Sequence, residues 1–260
     1  MDNEKNVFER CKTDSAYVSE EILNKIGLNN NVNNFKIYKP LKKNKIHLEQ
    51  TPFWNEYKKG TGERKPNPKC DLIIEDIPFS IKSGEGRATS ADAFECCALF
   101  NSVLNEYTPN DILYNNVNEI IKSMKNIKKF KSRFNKRDLE KNYKAQNNSL
   151  NEKEIEWYEN YENNIIKCNK LWHESLEIDE DFCKKIIFEC LRGYHKFGSN
   201  IGRADYLIQT KNSKSTEIEL ILDLRNYNDE VDKYCSKIIK KNKNPFACKS
   251  SKKKLWSRFL

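Results

Sequence analysis

Long apolar runs are missing from this 260-residue chain. None approaches the roughly eighteen residues that a membrane-spanning helix requires, so no membrane partner is expected. Paired-cysteine spacing is also missing. The nine cysteines, at 11, 70, 96, 97, 168, 183, 190, 235 and 248, are odd in number and form no CxxC, which points away from a closed disulfide framework and from a zinc knuckle. They fit buried thiols in a reducing compartment. The opening MDNEKNVFERC lacks the basic and apolar regions of a signal peptide, and a cytoplasmic location is the expectation. There is no internal repeat, no phosphate-binding or dinucleotide glycine fingerprint, and no helicase or methyltransferase motif.

What is present in excess is positive charge. Lys and Arg number 47 against 38 acids, a net charge of +9, which favours a polyanionic partner through counterion release. Heavy use of Lys and Asn also fits an AT-rich genome. The length suffices for one substantial core, and a single domain spanning 1–260 is expected.

The most informative stretch runs from Pro68 to Leu104. Cys70, Leu72 and Ile74, then Ile77, Phe79 and Ile81, are apolar at alternate positions, the period of strands with one buried face. Glu75 and Asp76 form the turn between them. Symmetric pairing about that turn sets Asp71 opposite Ser80, with Lys82 as diagonal neighbour on the same polar face; a one-residue slip would destroy both patterns. SGEGRATSAD follows, in which Thr89 and Asp92 have the form of a capping box. A helix is expected from about Ser90, packed through Ala93, Cys96, Cys97, Phe100 and Leu104, with Glu95 off that stripe. An ordinary surface hairpin followed by an ordinary helix is the plain alternative.

An Asp on one strand, a Lys on the next and a Glu in the helix beyond resembles the PD-(D/E)xK nuclease superfamily, in particular type II restriction endonucleases. The sequence departs from the usual form, since Ser80 stands at the acidic position of Ser80-Ile81-Lys82 and Lys69-Cys70 intervenes between Pro68 and Asp71. It is similar to a variant with Ser-x-Lys in which the missing carboxylate has moved onto the following helix; twelve residues separate Lys82 from Glu95. The resemblance implies an α/β fold, a mixed β-sheet flanked by helices with a restriction-endonuclease-like core. It implies Mg²⁺ held by Asp71, Glu95 and the main-chain carbonyl of Ile81, with Ser80 in the catalytic motif and Lys82 acting on the attacking water. It further implies double-stranded DNA as substrate, a homodimer, and a cognate DNA methyltransferase encoded separately. Glu63 and Glu85 are rivals to Glu95, and Glu20 or Glu21 is an optional further ligand. Within the same superfamily a repair, junction-resolving or viral nuclease is the alternative; outside it, a non-catalytic basic nucleic-acid-binding protein.

Elsewhere, Ser15 to Leu28 has the spacing of a first helix, whereas Ile37 to Lys45 shows little beyond basic charge. Lysines and arginines from Lys125 to Arg137 interleave with Met124, Ile127, Phe130 and Phe134 at helical spacing. They predict a basic amphipathic helix within a helical insertion around 120–175, suited to backbone phosphates or to a solvated face. KNYKAQNNSLN has the composition of an exposed linker. Glu152 to Leu171 and Asp181 to Gly193 are expected helices, and Tyr206 to Gln209 and Thr216 to Leu224 are expected strands. A helix with Glu189, then glycine, Lys-Phe-Gly and a new strand is similar to a pattern downstream of the catalytic core in several type II restriction enzymes. Arg87, Thr89, Ser90, Lys196 and Arg203 are the candidate DNA contacts, by donor type and by position. His195 suits a surface or hydrogen-bonded role.

Overall fold

The computed structural model describes residues 37–38, 69–74, 76–83, 93–127, 136–146, 149–193, 203–211 and 218–241. They form an α/β protein of five strands and six helices. The strands are β1 (Ile37–Tyr38), β2 (Leu72–Ile74), β3 (Ile77–Ser83), β4 (Tyr206–Thr210) and β5 (Ile218–Asp223). The helices are α1 (Ala93–Glu106), α2 (Asp111–Lys125), α3 (Lys136–Lys144), α4 (Glu152–Ile178), α5 (Glu180–Arg192) and α6 (Asp229–Lys241). The chain divides into two compact units. One holds the sheet, α5 from Lys184 onward and α6 up to Ile239; the other holds α1 to α4, the first turn of α5 and the last two residues of α6.

Sheet order follows chain order, β1 to β5. All neighbours are antiparallel except β3 and β4, which are parallel, so the sheet is mixed. The hairpin pairs Ile74 with Ile77 and Leu72 with Phe79, the register that the alternating pattern predicts. Asp76 turns the chain with φ 67°, a left-handed conformation that Asp tolerates better than most residues. Ile37–Tyr38, expected to carry only charge, pairs with β2 instead.

One expectation about this sheet needs correction. Ile74, Phe79, Ile81, Tyr206 and Ile208 share one face and are buried. The opposite face, expected to be polar and exposed, is buried too: Ser80 and Leu207 are fully covered, and Gln209 and Leu222 nearly so. The reason is topological, since β3 and β4 are parallel strands inside the sheet and such strands are covered on both sides. On the Ser80 face, α6 supplies cover, its Tyr234 reaching Gln209. Amphipathic spacing builds α6: Val231, Tyr234, Cys235 and Ile238 are buried.

In the helical unit, α2 packs against α1 and α4, and α3 against α4. Helix α1 buries Cys96, Cys97, Leu99, Phe100 and Val103, so the stripe includes Leu99 and Val103, while Leu104 is only half-buried. Helix α2 opens on Asn110, whose side chain accepts from the Leu113 amide, and stops at Asn126, whose N–H donates to the Lys122 carbonyl. The expected single basic helix from Met124 to Arg137 is therefore interrupted at its start, because the cap closes α2 at Lys125. Lys141 to Lys144 of the expected linker belong to α3. Helix α4 starts from a reciprocal capping box between Asn151 and Glu154 and runs seven residues past the expected Leu171. Helix α5 ends as expected, at Gly193 with φ 66°, whose N–H donates to the Glu189 carbonyl at 2.7 Å. The helix expected at Ser15 to Leu28 lies outside the described residues.

Candidate active site

Asp71 precedes β2, and its side chain extends the strand ladder. Its own N–H donates to the Phe79 carbonyl at 2.7 Å. Its carboxylate oxygen Oδ2 accepts the Ile81 N–H at 2.7 Å and the Ser80 hydroxyl at 3.2 Å. The Ile81 amide lies inside the sheet, where an unpartnered donor is costly, and the carboxylate supplies the acceptor that a longer β2 would have supplied as a carbonyl. Asp71 Oδ1 has no hydrogen bond among the described residues. Ser80 thus helps to orient the acid.

Lys82, two residues along β3, is half-buried and makes no ion pair or side-chain hydrogen bond among the described residues. On β4 its register partner is Gln209, a residue not anticipated from sequence. The Tyr234 hydroxyl donates to Gln209 Oε1 at 2.8 Å, and Gln209 Nε2 donates to Glu219 Oε2 at 2.9 Å. The amide thus presents its oxygen to a hydroxyl donor and its NH₂ to a carboxylate acceptor. A register shift at Gln209/Thr210 lets Glu219 reach this face, from which regular alternation would exclude it. The signal available in the sequence was one glutamine inside the apolar run YLIQT.

Two further acids are held by arginines. Asp205 holds Arg203, Nε to Oδ1 at 2.7 Å, so the expected DNA contact Arg203 is engaged within the protein. Glu189, the acid of the downstream pattern, is fully buried and accepts both Nε and Nη2 of Arg192 at 3.1 and 3.0 Å. That interaction makes it a structural anchor of the α5 end. Burial, then Asp71, then Asp205 push the Cys70 thiol up to about 12.

Glu95 lies in the first turn of α1; its side chain is outside the described residues, as are Arg87, Thr89, Ser90 and Lys196, and the rival ligands Glu63 and Glu85. Among the described residues no group of three or more His, Cys, Asp or Glu side chains forms a metal cage. Asp71 nonetheless suits a hard divalent ion: it is a fixed carboxylate with one oxygen unbonded, and Mg²⁺ takes one or two carboxylates and keeps several waters. Among the described residues no helix is long and apolar enough to cross a membrane. Neither a protein-family model, nor a curated protein, nor a solved structure matches the chain.

Proposed function

We propose that this chain is a metal-dependent endonuclease of double-stranded DNA, of the type II restriction class, built on a restriction-endonuclease-like core. The observation that carries the proposal is the pair formed by Asp71, clamped through Oδ2 by Ile81 and Ser80, and Lys82 on the same face, which has no ion pair among the described residues. An ammonium on the same face as a preoriented carboxylate suits phosphodiester chemistry. The net charge of +9 suits the same substrate.

The residues divide the work as follows. Ile81 and Ser80 hold Asp71 in one orientation, so Oδ1 is aimed before substrate arrives. Lys82 brings an ammonium to the scissile phosphate, where it orients the attacking water and offsets the charge that develops in the transition state. Mg²⁺, with Asp71, Glu95 and the Ile81 carbonyl as its ligands, would supply further charge neutralisation and a water of lowered pKa. Two-fold DNA sites call for a two-fold protein, hence a homodimer acting in the cytoplasm beside a separately encoded methyltransferase.

The test is digestion of a plasmid of known sequence with Mg²⁺ and with EDTA. Discrete fragments in Mg²⁺ alone, lost in Lys82→Ala, are expected. No cutting by the wild type across duplex substrates, or cutting by Lys82→Ala within about tenfold of wild type, refutes the assignment.

A further inference from the structure

Several exposed lysines in the helical unit sit beside glutamates, although Lys141 and Lys153 do not. Lys122 and Lys167 both pair with Glu119, Lys170 lies 3.7 Å from Glu174, and Lys144 pairs with Glu140. Helix α6 differs in gathering three lysines like Lys141 and Lys153 on one face. Lys233, Lys237 and Lys240 are exposed and have no ion pair or hydrogen bond among the described residues. Spaced four and three residues apart, they lie on one side of the helix, away from the buried Val231, Tyr234, Cys235 and Ile238. Asp229 and Glu230, four and three residues before Lys233, are the nearest acids on that side, and neither pairs with Lys233.

Helix chemistry explains only part of this. Cations in a last turn are stabilised by the helix dipole, which accounts for Lys240. It does not account for Lys233, near the opposite end, or for Lys237 in the middle. At 1.5 Å per residue the three ammonium stems fall along roughly 10 Å, and like charges at such spacing repel unless an anion lies against them.

We infer that the outer face of α6 is a contact surface for the phosphate backbone of duplex DNA. Duplex DNA presents one negative charge per ~1.7 Å of axis, a density that a straight ridge of three lysines complements. The inference deepens the nuclease reading and rests on it for the choice of duplex. The same helix serves both: its inner side holds Gln209, the register partner of Lys82, through Tyr234, while its outer side carries the ridge. Such contacts position a protein on DNA without reading sequence.

The experiment measures binding to a random-sequence duplex in EDTA, from 50 to 200 mM salt, for wild type and for the triple variant Lys233→Gln, Lys237→Gln, Lys240→Gln. Each lost phosphate contact lowers the slope of log K against log salt by about 0.9, so loss of three makes the wild type's decline over that range ~40-fold steeper than the variant's. Circular dichroism confirms that the variant is folded. An unchanged slope and affinity overturns the inference. So does a variant that loses binding to phosphatidylserine vesicles while its duplex slope stays at the wild-type value, which would make the ridge a lipid surface. Because cleavage is not read, wild type that binds with the expected slope yet never cuts in Mg²⁺ removes the nuclease reading and leaves the ridge standing; wild type that binds no duplex removes both.

Discussion

Replacing Asp71 separates its two roles. Asp71→Ala removes the acceptor of the Ile81 N–H, at 2.7 Å, and of the Ser80 hydroxyl, at 3.2 Å. Ile81 is 3 % and Ser80 0 % exposed, so neither donor readily finds water. A buried unsatisfied donor costs about 1–3 kcal/mol. The hydroxyl can rotate to another acceptor and the amide cannot, so a loss of about 2 kcal/mol is expected. Asp71→Asn keeps an acceptor oxygen in the same place and loses only the charge assistance, roughly 1 kcal/mol. Both variants should be inactive on plasmid in Mg²⁺, because an amide is a poor ligand for a hard cation. Urea denaturation followed by tryptophan fluorescence measures the first effect and plasmid cleavage the second. If Asn destabilises as much as Ala, or Ala is as stable as wild type, the ladder-completing role is wrong; if Asn still cuts, the catalytic role is wrong.

Glu95→Ala is expected to remove Mg²⁺-dependent cleavage, whereas Glu63→Ala and Glu85→Ala should cut normally; the reverse pattern in a plasmid assay would move the second carboxylate elsewhere. Asp232 is held below the usual carboxylate range by the Tyr227 hydroxyl and then by Lys184. A group whose folded value is depressed adds stability above its unfolded value, near 4, and loses it as pH falls through the folded value. The urea midpoint of wild type should therefore exceed that of Asp232→Asn at pH 7, and the gap should close below about pH 4; a gap independent of pH would contradict this. Burial raises the Cys168 and Cys235 thiols to about 12 and raises Cys183 further. All seven described cysteines are free and buried, so titration with a disulfide reagent at pH 8 should leave seven thiols unreacted until denaturant is added. Rapid native labelling of more than two of the nine would refute it.

The hairpin register was legible because two signals coincide there: six alternating apolar residues, and a turn whose centre fixes every pair. Ser80 was legible in sequence position but not in burial, since its cover depends on β4 pairing in parallel with β3 and on α6 lying over that face, both distant in the chain. Helix α6 could have been read from Val231, Tyr234, Cys235 and Ile238, yet the lysines among them make the segment resemble a solvated tail. Helix α2 was hidden similarly, its Leu113, Val117, Ile120 and Met124 diluted by asparagines. Two-residue β1 has no period to detect. Gln209 owes its role to a register shift in β5, which no local pattern announces.

The parallel neighbours β3 and β4 impose an order on folding. Hairpin contacts join residues about ten apart, as Ile81 to Asp71, and closing so small a loop takes ~10–100 ns. The hydrogen bond from Thr210 to the Lys82 carbonyl spans 128 positions, and the segment between those strands contains all of α1 to α5. Closure entropy rises with loop length and must be overcome before the contacts repay it, so the hairpin forms early and its union with β4 late. Until then Ile81 and Ser80 have one edge open to other chains. The nascent protein is most prone to aggregation in that interval, and a fragment ending before Tyr206 keeps that edge permanently.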